Sequence, residues 1–376
     1  GFAFAGDAAL DLPDLAPFGP LLGRDLGGAV RAEVTGTLRP DLSALDLAFD
    51  AATRDLRLGL PLDPLLAGEG TASGTVRRAG EDLALDVSAR TPLLALDADG
   101  GLTGSAGALR FDLAVAQVAP VLPGLSGPAT AAGTATRRPD GSLAVAAAAT
   151  APGASATVDA TVAPAAQGSA IAGTARIEAA DLRPFSALAG RPLAGRLSAT
   201  VTGSAAPDLS AFSVAVDGSA ANLHPGNATA ARLLAGTGTV SAALSRQEGG
   251  AIRVERLAAR FPNLSVDATG QGEGRGATVA FDARLADVGL LAPDFSGPVT
   301  ARGTASTDGA TTTLDADVTG PGGIAARVAG SLAGGAASLS AAGSAPLGLL
   351  NGFIEPRRIE GAAAFDLRLD GPLALS

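Results

Sequence analysis

The chain carries a single imidazole, His224, so chemistry that needs a base titrating near neutral pH has one place to reside. Its setting, Asn222-Leu223-His224-Pro225-Gly226, reads as a turn that precedes a new segment. A Ser-His-Asp hydrolase would have to use this residue, and no G-x-S-x-G elbow accompanies it. Asp97-Ala98-Asp99-Gly100 is like part of a calcium loop, but the twelfth position is Ala108, where a bidentate Glu is required. These carboxylates are expected to be solvated groups at a strand end. The run Gly68-Glu69-Gly70-Thr71-Ala72-Ser73-Gly74 lacks the G-x-G-x-x-G spacing and the strand-to-helix setting of a nucleotide loop. Asn227-Ala228-Thr229 is a formal glycosylation triplet. With no Cys, disulfides and thiolate-metal sites are excluded. No catalytic residue, metal site or cofactor is expected, and the chain is not expected to be an enzyme.

The elements that would position any site are built from a narrow inventory. The 376 residues include no Cys, Met, Trp, Tyr or Lys and only 12 Phe. Hydrophobic residues make up 47% and charged residues 17%, which excludes the weakly hydrophobic, highly charged composition of disordered chains. The formal charge of −10 and the lack of a basic stripe argue against a nucleic-acid footprint. Residues 113–136 are uncharged and long enough to cross a bilayer, but Pro120, Pro123, Gly124, Gly127, Pro128 and Gly133 would leave backbone groups unsatisfied in hydrocarbon. Strands and turns are expected there.

The chain repeats itself. Residues 14–50 align without a gap to residues 181–217, with 20 identities in 37 positions. Asp14-Leu15-Ala16-Pro17-Phe18 matches Asp181-Leu182-Arg183-Pro184-Phe185. Val34-Thr35-Gly36 then matches Val201-Thr202-Gly203, and Pro40-Asp41-Leu42-Ser43 matches Pro207-Asp208-Leu209-Ser210. A second pair joins Leu125-Ser126-Gly127-Pro128 to Phe295-Ser296-Gly297-Pro298. Weaker copies occur at Leu60-Pro61-Leu62 and Leu347-Gly348-Leu349-Leu350, so units begin near 14, 60, 117, 181, 222, 287 and 345 of one continuous segment, 1–376. Segments such as Asp181 to Leu188 suit a short helical turn, with Asp181 as cap and Pro184 near its start.

Between these lead-in segments the hydrophobic period is two, as in strands with one apolar face. Val30 and Val34 alternate with polar neighbours, as do Leu45, Leu47 and Phe49, then Leu83, Leu85 and Val87. The pattern continues with Val279, Phe281 and Leu285, with Leu314 and Val318, and with Phe365, Leu367 and Leu369. Pro139-Asp140-Gly141, Glu248-Gly249-Gly250, Asp308-Gly309 and Gly320-Pro321-Gly322-Gly323 mark turns. The fold class is therefore all-β. A closed sandwich core is usually rich in rings, and an aromatic content of 3% favours a long sheet curling on itself, with these apolar residues lining an inner groove. At about 12 residues per strand and turn, roughly 30 strands are expected.

The D-L-x-P-F-x-x-L-x-G-R-x-L-x-G sequence at 181–195, its twin at 14–28, and the V-T-G and P-D-L-S that follow resemble the periplasmic repeats of the TamB family, which is grouped with the AsmA-like proteins. The resemblance covers the whole chain in texture and is sharpest in those two copies. It implies an elongated β-taco, or β-solenoid-like sheet, with a hydrophobic inner face that transfers phospholipids between the inner and outer membranes. It also implies a periplasmic location, an inner-membrane anchor and a C-terminal domain outside this chain, and partnership with a TamA-like outer-membrane barrel of the insertase type. A role in outer-membrane biogenesis and protein secretion follows from the same resemblance. The alternative is an extracellular β-solenoid adhesin or autotransporter passenger, whose polar ladders and G-G-x-G-x-D repeats are missing. An outer-membrane barrel is disfavoured because its aromatic girdles need Trp and Tyr.

Overall fold

The period-two pattern becomes strands throughout a computed structural model, which describes residues 3–165, 168–206, 208–293, 295–348 and 359–372. Pro207, Leu349 and Leu350 of the repeat motifs lie outside the described residues. The chain divides into two units, residues 1–191 and 192–376.

In the first unit β1 (Phe4–Leu12), β2 (Gly27–Leu38), β3 (Ala44–Arg57), β4 (Glu69–Ala79), β5 (Asp82–Arg90) and β6 (Leu94–Thr103) run on into β7 (Ala106–Val115), β8 (Ala129–Arg137), β9 (Leu143–Ala151), β10 (Ala154–Ala165) and β11 (Gly168–Ala179). Each pairs antiparallel with its chain neighbours, and no ladder joins β1 back to β11 among the described residues. The long connections all lie at one edge. One edge carries tight turns, such as 80–81 and 104–105, and the other carries the longer lead-in segments 13–26, 58–68 and 116–128. The first two contain 3-10 turns at Ala16–Phe18 and Asp63–Leu65 and the helical turn α1 (Gly19–Leu22), and the 3-10 turn Arg183–Phe185 follows β11.

The second unit repeats the meander with β12 (Ala194–Ala205), β13 (Phe212–His224), β14 (Thr237–Arg246), β15 (Ile252–Arg260), β16 (Leu264–Glu273) and β17 (Gly276–Leu285). It continues through β18 (Val299–Thr307), β19 (Thr311–Thr319), β20 (Ala325–Ala333), β21 (Ala336–Pro346) and β22 (Ala362–Pro372). Its ladders are also antiparallel between chain neighbours. The helix α2 (Ala228–Leu233) sits between β13 and β14, and the side chain of Asn227 caps it by accepting from Ala230 N at 3.0 Å.

The matched sequence segments take matched conformations. Leu42 and Leu209 both have φ of 56°, in the left-handed region that side-chain-bearing residues rarely enter. Gly127 and Gly297 (φ 119° and 112°) each accept from a residue nine positions before, Val118 and Val288, and receive a side-chain acceptor from Gln117 and Asp287. The Thr130–Thr150 hydroxyl bond has a counterpart in Thr300–Thr319, both 2.6 Å. The two strong sequence matches thus share an offset of 167–170 residues, and the equivalences extend to segments the sequence left unmatched. Arg90 with Asp97, for example, corresponds to Arg260 with Asp267.

Three expectations are corrected. The described residues form 22 strands, not about 30, because strands run nine to fourteen residues and several connections are lead-in segments of eleven residues or more. His224 is the last residue of β13 and the turn begins after it. Asp97 and Asp99 lie within β6, and Asp97 is paired with Arg90 at 2.7 Å, so they are not strand-end groups.

Candidate functional site

Cross-strand neighbours in an antiparallel ladder share a face, so the registers decide which residues come together. In the first unit Val34 stands opposite Phe49, and Leu47 lies between Gly36 and Val76. Val76 meets Leu85, Gly74 meets Val87, and Leu83 meets Leu102. All eight residues expected from the sequence in this unit, Val30 and Val34 on β2, Leu45, Leu47 and Phe49 on β3, and Leu83, Leu85 and Val87 on β5, therefore lie on one face. The second unit does the same. Phe281 is opposite Ala268 and Gly303, Val279 opposite Gly270, Leu285 opposite Leu264, and Leu314 and Val318 opposite Ala305 and Ala301. On β22, Phe365, Leu367 and Leu369 pair with Gly343, Ala341 and Leu339 of β21, which continue that face. These residues are half-buried except Leu367 and Leu369, which are 61% and 63% exposed.

Sequence reasoning missed many members of the face, among them Leu96, Leu109, Phe111, Val216, Leu244 and Leu257, although most follow the same alternation. Leu257 does not. A bulge in β15 sets Leu244 opposite Val254 and Ala243 opposite Arg256, which reverses the side-chain parity and keeps Leu257 apolar-side and Arg256 polar-side.

Away from the lead-in edge, no second layer covers the face among the described residues. The buried cluster of the first unit, Leu65, Leu94, Val115, Val118 and Leu125, lies at the lead-in edge, where Thr91 Oγ1 fastens the Asp63–Leu65 turn by donating to Leu65 O at 2.7 Å. Two compact proteins of half this mass would expose about 8,000 Å² each. The chain exposes 22,301 Å², well above their sum.

The sheet also leans toward that face. Phenylalanines stand opposite glycines: Phe49 opposite Gly74, Phe111 opposite Gly133, Phe281 opposite Gly303. A Cβ on Gly74 would lie 2.3 Å from Asp86 O and 3.0 Å from the Phe49 ring, and one on Gly303 would lie 2.2 Å from Asp315 O. Backbone this close on the apolar side means that the neighbouring strand bends over it, as glycine kinks permit in curved sheets.

The opposite face is polar and paired. Arg31 meets Asp11 at 2.8 Å, Arg77 meets Asp46 at 3.0 Å, Arg327 meets Asp315 at 2.6 Å, and Arg302 meets Asp282. Arg90 and Arg327 hold Asp97 and Asp315 below the usual carboxylate range. These pairs are solvated, and set register more than they add stability. His224 is exposed and pairs across the ladder with Ala194. No group of His, Asp and Glu suited to a metal ion is found among the described residues, nor a helix long and apolar enough to cross a membrane. No protein-family model, curated protein or solved structure matches the chain.

Proposed function

We propose that the apolar face of each unit takes up the acyl chains of phospholipids, and that the chain acts as a TamB-like periplasmic bridge. In this reading it carries lipid along a hydrophobic groove between the inner and outer membranes, and supports outer-membrane biogenesis and protein secretion with a TamA-like barrel. An inner-membrane anchor outside this chain would hold it in the periplasm. The supporting observation is a face of Val, Leu, Ile, Phe, Ala and Gly that spans successive strands of each unit and, away from the lead-in edge, has no second layer over it among the described residues.

Moving a sixteen-carbon chain out of a bilayer costs roughly 12 kcal/mol, at about 0.8 kcal/mol per CH₂. A bent apolar sheet offsets that cost while leaving the polar head in water. Because the face repeats without a distinctive centre, lipid would meet many similar weak positions, as transport along a surface needs. The proposal involves no covalent step.

The test is direct. The purified chain is incubated with phospholipid vesicles bearing a labelled acyl chain, separated by size, and assayed for bound lipid. Lipid should travel with the protein, and Leu47→Asp with Phe281→Asp should reduce it. A folded chain that acquires no lipid would refute the proposal and favour a β-scaffold such as a passenger or adhesin.

A further inference from the structure

Three charged side chains break the regular part of the apolar face, and all three are arginines. Arg78 stands between Leu45 and Leu83, Arg137 between Gly107 and Leu143, and Arg246 between Phe212 and Ile252. Each occupies the last apolar-side position of its strand before the tight-turn edge. Among the described residues no Asp or Glu shares the face between the bulges.

Arg78 and Arg246 are equivalent positions in the two units and behave alike. Nε of Arg78 donates to Gly80 O at 3.0 Å, and Nε of Arg246 donates to Gly250 O at 3.1 Å. These bonds hold both guanidinium groups beside the turns of the tight-turn rim. None of the three arginines forms an ion pair among the described residues, whereas eight other arginines do. Two of the rim carboxylates are engaged by serines. Asp41 is taken by the hydroxyl and N–H of Ser43. Asp208, held low by Ser210 and then by the charge of Arg246, accepts from Ser210 N. Glu81 and Glu248, in the same turns as Arg78 and Arg246, make no ion pair with them among the described residues.

We infer that Arg78, Arg137 and Arg246 bind the phosphodiester of an anionic phospholipid headgroup at the tight-turn rim while its acyl chains lie on the adjoining apolar face. This rests on the lipid reading above and adds a preference to it. A guanidinium presents paired N–H donors to phosphate oxygens, and its stem packs along apolar surface without disturbing the chains. The apolar face itself carries arginines and no carboxylate, which favours a head with net negative charge over a zwitterionic one, whose ammonium the arginines would repel.

The experiment offers the full chain vesicles of phosphatidylglycerol, phosphatidylcholine or diacylglycerol with identical acyl chains, and quantifies bound lipid by mass spectrometry. Phosphatidylglycerol should be favoured over phosphatidylcholine by about five-fold, the upper range for exposed charge pairs. The triple variant R78Q/R137Q/R246Q should lose that preference, whereas R31Q on the polar face should keep it. Thermal unfolding of each variant separates lost binding from lost fold. Equal uptake of all three lipids by the parent chain would overturn the headgroup assignment and leave the apolar-face reading standing. Uptake of none would overturn both. Competition by millimolar inorganic phosphate would make the arginines a free-anion site and also overturn the assignment.

Discussion

Gly303→Ala should damage the protein although it adds one methyl to an apolar face. The new carbon would stand 2.2 Å from the Asp315 carbonyl oxygen and 2.6 Å from the Ala316 Cα, backbone atoms that no rotamer change can move aside. Gly6→Ala, in β1, meets nothing within 4 Å. Replacing glycine without a clash stabilises by about 0.4–1 kcal/mol through the unfolded chain. Overpacking costs about 1–3 kcal/mol. The net expectation is a loss of about 1–2 kcal/mol for Gly303→Ala and a gain of up to about 1 kcal/mol for Gly6→Ala, or roughly 2–4 °C in Tm per kcal/mol. Urea unfolding followed by far-UV circular dichroism measures both, with the slope checking that the unfolded reference is unchanged. If Gly303→Ala matches or exceeds the parent, as Gly6→Ala should, the strands do not bend over the apolar face and the reasoning from glycine fails.

Leu65→Ala should cost about 2–5 kcal/mol, because Leu65 is only 1% exposed and anchors the buried cluster at the lead-in edge of the first unit. Calorimetry showing a change within error would mean that the lead-in edge does not hold the unit together. By contrast, Leu47→Asp and Phe281→Asp should leave folding nearly intact, since their carboxylates stay in water on an uncovered face, yet each should lower lipid uptake. Loss of fold in both, by circular dichroism, would show that the face is packed after all. Acid should destabilise the chain. Asp41 and Asp208 are held below the usual carboxylate range by their serines, and Asp97 and Asp315 by their arginines. Their folded values lie under the unfolded value near 3.8, so the stability they contribute is complete above about pH 5 and is lost as pH falls below 4. Urea midpoints should be level from pH 7 to 5 and fall toward pH 3, less steeply in D41N/D208N. A level midpoint at pH 3 would contradict this.

Much of the fold was legible in the sequence because alternation and turn chemistry are local. The tight turns fell at the expected Gly141, Gly249 and Gly309, all with positive φ. The Asp181 segment became the expected short turn with Pro184 at its start, though the cap position is Leu182 and Asp181 acts from one residue earlier by accepting from Arg183 N. Strand number was overestimated because a lead-in segment occupies chain without adding a strand.

What stayed hidden depends on pairing between strands. The β15 bulge that returns Leu257 to the apolar face cannot be found without the register, since strict alternation assigns Arg256 there. The ion pairs of the polar face join residues up to 31 positions apart, and the opposition of phenylalanine to glycine appears only when strands are laid side by side. The arginines at the tight-turn rim were equally invisible. Each looks like an ordinary surface charge until its neighbours prove to be Leu45 and Leu83, or Phe212 and Ile252.

Site-specific photocrosslinking in living cells tests the central claim most directly, with the probe placed at Leu47, Leu85, Phe281 and Leu314 on the apolar face and at Arg31, Asp282 and Asp366 on the other. Phospholipid adducts confined to the first set are the predicted result. Adducts from neither set, or equally from both, in a folded and normally abundant protein would contradict a lipid-bearing apolar face.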